Sequence, residues 1–244
     1  TFNSNINNWN VSNVTNMAHM FWYATIFNQP LDKWNTSKVT NMNTMFNGTD
    51  AFNQDINTNV QTRNDGTQYV AWDVSNVENM TDMFSVTTAF NQPINKWNTS
   101  NVKNMQQMFR QSIFNQNITE NEVSFTINGK TNTYDAWNVS NVTNMYAMFN
   151  QNYTFNNGSV DINGNPSSEP QNELNWNTLN VTNMANMFNS ATLFNSPVST
   201  WDTSNVNNMS QIFHGATNFE QEVRTWDIGS VSTNANIFNS ATAF

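Results

Sequence analysis

Apolar residues recur along the chain at fixed distances from a series of tryptophans. Each of these tryptophans is followed by Val after five residues and by Phe after twelve, and all 13 methionines lie eight or eleven residues after one of them. The tryptophans are Trp9, Trp34, Trp72, Trp97, Trp137, Trp176, Trp201 and Trp226. Their basic spacing is 25 residues, and three gaps are lengthened by 13 to 15 residues. Regular spacing on this scale is typical of stacked repeats, in which neighbouring copies bury a face that one copy cannot bury alone.

The residues within one copy predict its secondary structure. Val14, Met17 and Phe21 follow the spacing of a helix face, with Ser12 available as an N-cap. A competing interpretation makes the Val-Thr-Asn-Met segment a short strand and leaves only the Met-x-x-Met-Phe segment helical, because Val and Thr favour strands. We prefer the second interpretation. It predicts an α/β repeat solenoid over residues 1–244, a leucine-rich-repeat-like stack of about eight 25-residue turns, each a short strand plus a short helical turn.

Asparagine is the commonest residue, with 52 in 244, and much of it follows the repeat. One set lies seven residues after each tryptophan of the first seven copies: Asn16, Asn41, Asn79, Asn104, Asn144, Asn183 and Asn208. A second set follows the Phe that opens each turn: Asn28, Asn53, Asn91, Asn115, Asn156 and Asn195. Identical amides one turn apart can each donate to the next and accept from the previous one, which satisfies polar groups that are costly to bury. The sequence therefore predicts asparagine ladders along the stack.

Three insertions, at about residues 57–71, 119–136 and 157–175, interrupt the repeat. The second carries Asn128-Gly129 between β-prone segments, which predicts a hairpin with a two-residue type I′ turn. The first has Asp65-Gly66 between polar and β-prone residues, and the third resembles a longer loop. All three enter between the opening Phe and the Trp, so they emerge from one edge of the stack. Such an edge is often a binding face; protection of a neighbouring turn or a subunit contact is an equal alternative.

Composition and charge narrow the classes of partner. Only 10% of the residues are charged and the net charge is −9, which disfavours nucleic acid and anionic membrane surfaces. Aromatic residues make up 13% of the chain, which argues against disorder. No apolar run approaches the roughly 20 residues that span a bilayer, so no transmembrane segment is expected. The absence of cysteine excludes disulfides, thiolate nucleophiles and Cys-based zinc sites.

Few residues suit catalysis or metal binding. His19 and His214 occupy variable repeat positions without a nearby nucleophile or acid, so a Ser-His-Asp triad is not expected. The segment that begins at Asp161 alternates oxygen ligands like a calcium loop, but Pro166 stands where an EF-hand needs Gly, and an ordinary polar turn is the simpler reading. The sequence therefore predicts no enzyme, no cofactor and no metal site.

The aromatic residues that depart from the repeat are the candidate surface contacts. Trp22 and Tyr23 depart from it in the first copy, Tyr69 lies in the first insertion, and Phe125 and Tyr134 lie in the second. A host protein, a surface protein or a glycan could bind there. The tryptophan series itself is more typical of a buried ladder than of a carbohydrate platform.

The ends of the repeat suggest how the chain could associate with itself. Phe2 opens the first turn, Phe244 opens a ninth, and neither end has an obvious polar capping repeat. The chain is then either a segment of a longer array or a unit whose open ends stack head to tail. A contact of that kind forms an open filament unless its rotation closes.

The motif W-[ND]-[VT]-S-N-V-x-N-M-x-x-M-F followed by F-N-Q-x-I resembles a bacterial surface-protein repeat of about 26 residues, which belongs with the BspA-like leucine-rich-repeat proteins. It occurs here as WNVSNVTNMAHMF, WNTSNVKNMQQMF and WNVSNVTNMYAMF, beginning at Trp9, Trp97 and Trp137. The resemblance implies an extracellular protein displayed on a cell surface, with an adhesive or other surface role and no catalytic residues. The expected function is a non-catalytic structural segment of a surface fibre or adhesin stalk; the alternative is a discrete adhesion module that binds a host protein or glycan through the insertion edge.

Overall fold

The computed structural model describes residues 2–159 and 172–241. Its strands are β1 (Asn59–Thr62), β2 (Gln68–Ala71), β3 (Asn121–Ile127) and β4 (Lys130–Ala136), and the described residues contain no helix. The middle of the third insertion, with the Asp161 segment, lies outside the described residues. We number the repeat copies by their tryptophans, from Trp9 in copy 1 to Trp226 in copy 8.

Each copy is joined to the next by parallel backbone pairing. The asparagine seven residues after each tryptophan forms a parallel bridge with its equivalent in the next copy, from Asn16 through to Thr233. Between copies 4 and 5, the amides of Met105, Gln107 and Phe109 donate to carbonyl oxygens of copy 5 at 3.0, 2.9 and 2.9 Å. Tandem repeats stacked through their backbones are therefore the architecture of the chain, and the predicted short strand is reduced to a single bridged residue flanked by these bonds.

The predicted helical turn is not confirmed, because the Met-x-x-Met-Phe segment folds as consecutive tight turns. Gln107 and Gln111 have φ values of 55° and 53°, in the left-handed region rather than near the −63° of an α-helix. The amide of Met108 bonds the Met105 carbonyl three residues back at 3.2 Å, while alternate amides point to the next copy. Helical spacing of apolar residues thus arises here without a helix.

The core consists of continuous columns of aromatic rings. In copy 4 the Phe109 ring lies 4.1 Å from the Phe114 ring, centroid to centroid, and 5.7 and 5.5 Å from its equivalents Phe84 and Phe149 in the flanking copies. The Met, Val and Trp side chains of the central copies are likewise fully buried. The repeated apolar positions are therefore core, as predicted for the central copies.

The buried tryptophans also satisfy their one polar atom across copies. The indole Nε1 of Trp137 donates to the Ile94 carbonyl of the preceding copy at 2.9 Å. The same bond is made by Trp34, Trp72, Trp97, Trp176, Trp201 and Trp226. Each bond fixes both the ring and the register, because a shifted copy would leave a buried donor without a partner.

The asparagine ladders differ from the predicted amide-to-amide form. In the first set the side-chain oxygen accepts from its own backbone two residues on, as in Asn104 Oδ1 and the Gln106 amide at 2.9 Å. In the second set it reaches the next copy's backbone: Asn91 Oδ1 accepts from the Asn115 amide at 2.8 Å and from the Gln116 side chain at 3.1 Å. Asparagine favours such short side-chain-to-backbone bonds, so the ladder links side chain to backbone.

Two of the three insertions form antiparallel hairpins. β1 pairs with β2, and β3 pairs with β4 from Asn121 opposite Ala136 to Ile127 opposite Lys130. Asn128 and Gly129 at the second tip have φ values of 51° and 75°, as a type I′ turn requires. The hairpin prediction for the second insertion is confirmed.

Deletion of a central ring tests the core. We expect Phe109→Ala to lower the free energy of unfolding by roughly 3–5 kcal/mol, because it removes a fully buried aromatic ring. Ile113→Ala removes an exposed side chain of the same copy and should cost about 1 kcal/mol or less. Urea unfolding followed by tryptophan fluorescence measures both, and equal small losses would contradict the stacked-ring core.

The side-chain-to-backbone ladder is tested at Asn91. Asn91→Ala should cost about 1–3 kcal/mol in a urea unfolding experiment, because the buried Asn115 amide loses its acceptor. Asn239→Ala, at an exposed position of copy 8, is the control and should change stability by about 0.5 kcal/mol at most. An Asn91 variant as stable as the control variant would contradict a stabilising asparagine ladder.

Candidate functional site

The same tyrosine contact fixes both insertion hairpins to the stack. Tyr69 donates its hydroxyl proton to the Lys33 carbonyl at 2.7 Å, and Tyr134 donates to the Lys96 carbonyl. Each tyrosine lies three residues before the Trp of its copy, in the sequences YVAW and YDAW, and each lysine directly precedes a Trp. Both hairpins therefore lean towards copy 1.

Burial raises the pKa of both phenols. Desolvation raises the pKa of Tyr134 to about 12, and the nearby Asp73 carboxylate acts in the same direction. Desolvation is also the main cause that raises the pKa of Tyr69. Tyrosine is protonated at neutral pH even at its usual pKa of about 10, so both hydroxyl groups donate to the carbonyl groups that hold the hairpins.

The second hairpin packs on the first. The Asn128 amide at its tip donates to Gln68 Oε1 of β2 at 2.8 Å, and the Phe125 and Tyr134 rings meet edge to face at 6.1 Å. Both rings line a cavity of about 150 Å³ between the hairpins, together with Val60. Phe125 and Tyr134 are half-buried here, so they join hairpin to hairpin rather than form a free aromatic patch.

Trp22 and Tyr23, by contrast, are exposed side by side on copy 1. They are 55% and 59% exposed, and their ring centroids are 5.4 Å apart. The His19 ring lies 5.7 Å from that of Trp22. A Cβ on Gly48 would lie only 2.8 Å from the Tyr23 ring, so the ring rests on a backbone that only glycine can present. These two residues remain candidate surface contacts. Among the described residues, no hydrogen bond or ring contact joins them to the hairpin residues Tyr69, Phe125 and Tyr134.

A groove that the sequence reasoning missed lies between copy 1 and the first hairpin. It has a volume of about 360 Å³, and its lining includes Trp9, Lys33, Arg63 and Tyr69. Trp9 is 55% exposed, unlike the fully buried Trp34, which corrects the expectation that the whole tryptophan series is buried. The signal available in the sequence was an arginine at the tip of an insertion, in a chain with only eight basic residues.

The described residues offer little acid–base or metal chemistry. His19 is exposed, and His214 is half-buried with an Nδ1 atom that has no hydrogen-bond partner among them. They contain no cluster of three or more His, Asp or Glu side chains that could hold a metal ion. Nor do they include a helix of the length and hydropathy needed to cross a membrane.

Of the comparisons with known proteins, the one with family models matches the chain. No curated protein and no solved structure matches the chain. One family model, described as "Mycoplasma protein of unknown function, DUF285", matches it four times, at residues 1–70, 64–133, 125–169 and 162–244. Together these matches cover the tandem repeats from end to end, and the chain therefore belongs to this DUF285 family.

Proposed function

We propose that the chain is a non-catalytic structural repeat protein, an extracellular segment of a surface fibre or adhesin stalk that stacks end to end. In this proposal the copies form a leucine-rich-repeat-like solenoid. The observation that carries it is the uninterrupted backbone pairing from copy to copy, which presents one row of carbonyl groups and one complementary row of amides at the two ends of the described stack. The resemblance to BspA-like surface repeats supports the location outside the cell.

The two rows match in position. In every later copy, carbonyl groups at three equivalent positions accept hydrogen bonds from backbone amides of the copy before. On copy 1 these are the carbonyl groups of Asn16, Ala18 and Met20, which accept from no backbone amide among the described residues. In the earlier copies, backbone amides at the equivalent positions donate to carbonyl groups of the copy after. On copy 8 the amides of Asn234 and Asn236 hold these positions, and they have no backbone acceptor among the described residues. An open strand edge of this kind is a template for another chain.

Apolar side chains favour the same contact. Met20 is 38% exposed on copy 1, whereas its equivalents Met45 and Met83 are fully buried. Phe2 stacks on Phe27 with centroids 5.6 Å apart and leaves its other face open. Stacking a second chain on this end would bury these surfaces in the way that each inner copy buries them.

The geometry of such a contact gives a fibre. The two joined surfaces are different, so the association is heterologous and propagates without limit unless its rotation closes a ring. With a rise of about 4.8 Å per copy, eight copies would extend a fibre by about 40 Å. Further copies on the same polypeptide would fill the rows in the same way.

A second candidate function is a discrete adhesion module. The exposed Trp22 and Tyr23 pair and the groove beside the first hairpin favour it, because exposed aromatic residues are common at contact sites. Its partner would be a host protein or a glycan.

A charge on the open end tests the structural proposal. We expect the purified chain to form fibres at high concentration by negative-stain electron microscopy, and Met20→Lys to suppress them by placing an ammonium group in the stacked face. Asn207→Lys adds the same charge at an exposed side position where copy 4 naturally carries Lys103, and it should assemble normally. Short monodisperse rods at every concentration, or fibres unaffected by Met20→Lys, would contradict end-to-end stacking.

A further inference from the structure

We propose that the cavity between the two hairpins binds a small aromatic carboxylate, a molecule with a single ring and one acid group. The inference goes beyond the proposed function and is independent of both end-to-end stacking and adhesion. The cavity combines an apolar volume of the size of one ring with an unpaired ammonium group at its rim. These are the partners that an aromatic ring and a carboxylate require.

The cavity lies in the middle of the stack and not at one of its ends. Its lining residues belong to the first and second insertions and to Lys96, the residue before the Trp of copy 4. Neither copy 1 nor copy 8 contributes a lining residue. Copies or chains added at either end of the stack would therefore leave the cavity as it is.

Two aromatic rings and three valines form most of the walls. The Phe125 and Tyr134 rings meet edge to face, with centroids 6.1 Å apart. The aliphatic part of the lining consists of Val60, Val70 and Val123. The volume is about 150 Å³, and an apolar cavity of about that size can hold a benzene molecule. Because aromatic rings also gain from edge-to-face packing on one another, one aromatic ring is the group that fits these walls best.

Most polar groups of the lining are already bonded within the chain. Thr58 Oγ1 donates to the Trp72 carbonyl at 2.8 Å. The Tyr134 hydroxyl donates to the Lys96 carbonyl, and the Asn59 side-chain amide donates to the carbonyl two residues earlier at 3.1 Å. These bonds leave few polar groups to be satisfied by a ligand, so burial of an apolar ring is the main interaction that the cavity offers.

Lys96 supplies a positive charge at the rim. The residue is exposed, and its ammonium group forms no ion pair and no hydrogen bond among the described residues. Lysine binds anions as a compact point charge, and a partly enclosed ion pair is screened less by salt than an exposed one. A carboxylate carried by the bound ring would therefore be stabilised at the Lys96 side of the cavity.

The hairpin contact does not explain why this residue is a lysine. Lysine precedes the Trp of the repeat only in copies 2 and 4, whose backbones receive the hairpin tyrosines. The tyrosine hydroxyl needs only a carbonyl group, which every residue type provides. The Lys96 side chain is therefore available for a second role, in a chain with eight basic residues and a net charge of −9.

A neighbouring aspartate limits the ligand to one negative charge. A smaller cavity of about 110 Å³ shares four lining residues with the first: Thr58, Val70, Phe125 and Tyr134. It is also lined by Asp73, whose Oδ1 accepts from the Ser75 amide at 3.0 Å. Like charges repel, so a second acid group on this side of the ring would be disfavoured. A monocarboxylate matches one lysine on one side and one aspartate on the other.

Three small molecules that separate the ring from the charge test the proposal. The intact chain, at a concentration where it is dispersed, is titrated at neutral pH with phenylacetate, phenethyl alcohol and acetate, and binding is followed by ligand-observed NMR. Phenethyl alcohol keeps the ring and replaces the carboxylate, whereas acetate keeps the carboxylate without the ring. We expect phenylacetate to bind with a Kd of about 1 mM. Phenethyl alcohol should bind about fivefold more weakly, and acetate should show no measurable binding.

Matched variants locate the site. Lys96→Gln keeps the carbonyl group that holds Tyr134 and should weaken phenylacetate binding about fivefold, to the level of phenethyl alcohol. Lys130→Gln removes an equal charge near the tip of the second hairpin, outside the cavity, and should have no effect. Val60→Phe fills the cavity with a ring of the chain itself and should abolish binding. Thr131→Phe adds the same ring at an exposed position outside the lining and should leave binding intact.

Three results would overturn the proposal. They are equal affinity for phenylacetate and phenethyl alcohol, phenylacetate binding that survives Val60→Phe, and no phenylacetate binding at ten times the expected Kd. The urea unfolding midpoint of each variant shows that the stack is intact, because the substituted residues lie outside the core of stacked rings. Fibre assembly is measured separately by microscopy, so either proposal can fail without the other.

Discussion

Alternate backbone amides hydrogen-bond each copy to its neighbours, and the remaining features of the molecule depend on this pairing. Alternate amides such as those of Gln107 and Phe109 point along the stack to the next copy. A backbone that turns tightly and still points its amides in one direction must enter the left-handed region, as Gln107 and Gln111 do. The residues at these positions are mostly asparagine, glutamine, serine, threonine, histidine or glycine, and several of these types tolerate that conformation best.

Once this pairing fixes the register, identical side chains must lie above one another. Phenylalanine rings then stack into a column, and from copy 2 onwards the tryptophan N–H of the repeat donates to a carbonyl of the preceding copy. The insertions do not disturb the register, because they leave the stack before each Trp and return to it in the same place. Tyr69 and Tyr134 show how they are held: a phenol of each hairpin bonds the backbone of an earlier copy.

Prediction from the sequence succeeded where residue types and their spacing determine the local structure. The ring columns follow from the spacing of Trp and Phe, and the second hairpin follows from Asn128-Gly129, whose turn type requires left-handed residues. The helical turn was not confirmed, because tight turns repeat Met105, Met108 and Phe109 at the same intervals as a helix face. The groove was missed, because it depends on how a hairpin leans across copy 1 and brings Arg63 near Trp9.

The described surface divides into regions with different roles. Phe125 and Tyr134 join the hairpins, Trp22 and Tyr23 form an exposed pair, and the open backbone rows lie at the two ends. The second hairpin occupies the face of the first that is turned towards the last copy, while the opposite face borders the Trp9 groove.

The central claim is that inter-copy backbone hydrogen bonds run through the whole stack, and amide hydrogen exchange measured by NMR tests it most directly. The account predicts slow exchange for the alternate amides of the central copies, among them Met105, Gln107 and Phe109, at a similar level from copy 3 to copy 6. Within the same segment, the amide of Met108, bonded only to its own copy, should exchange faster. Rapid exchange of all these amides, or protection confined to the two hairpins, would contradict the stacked arrangement.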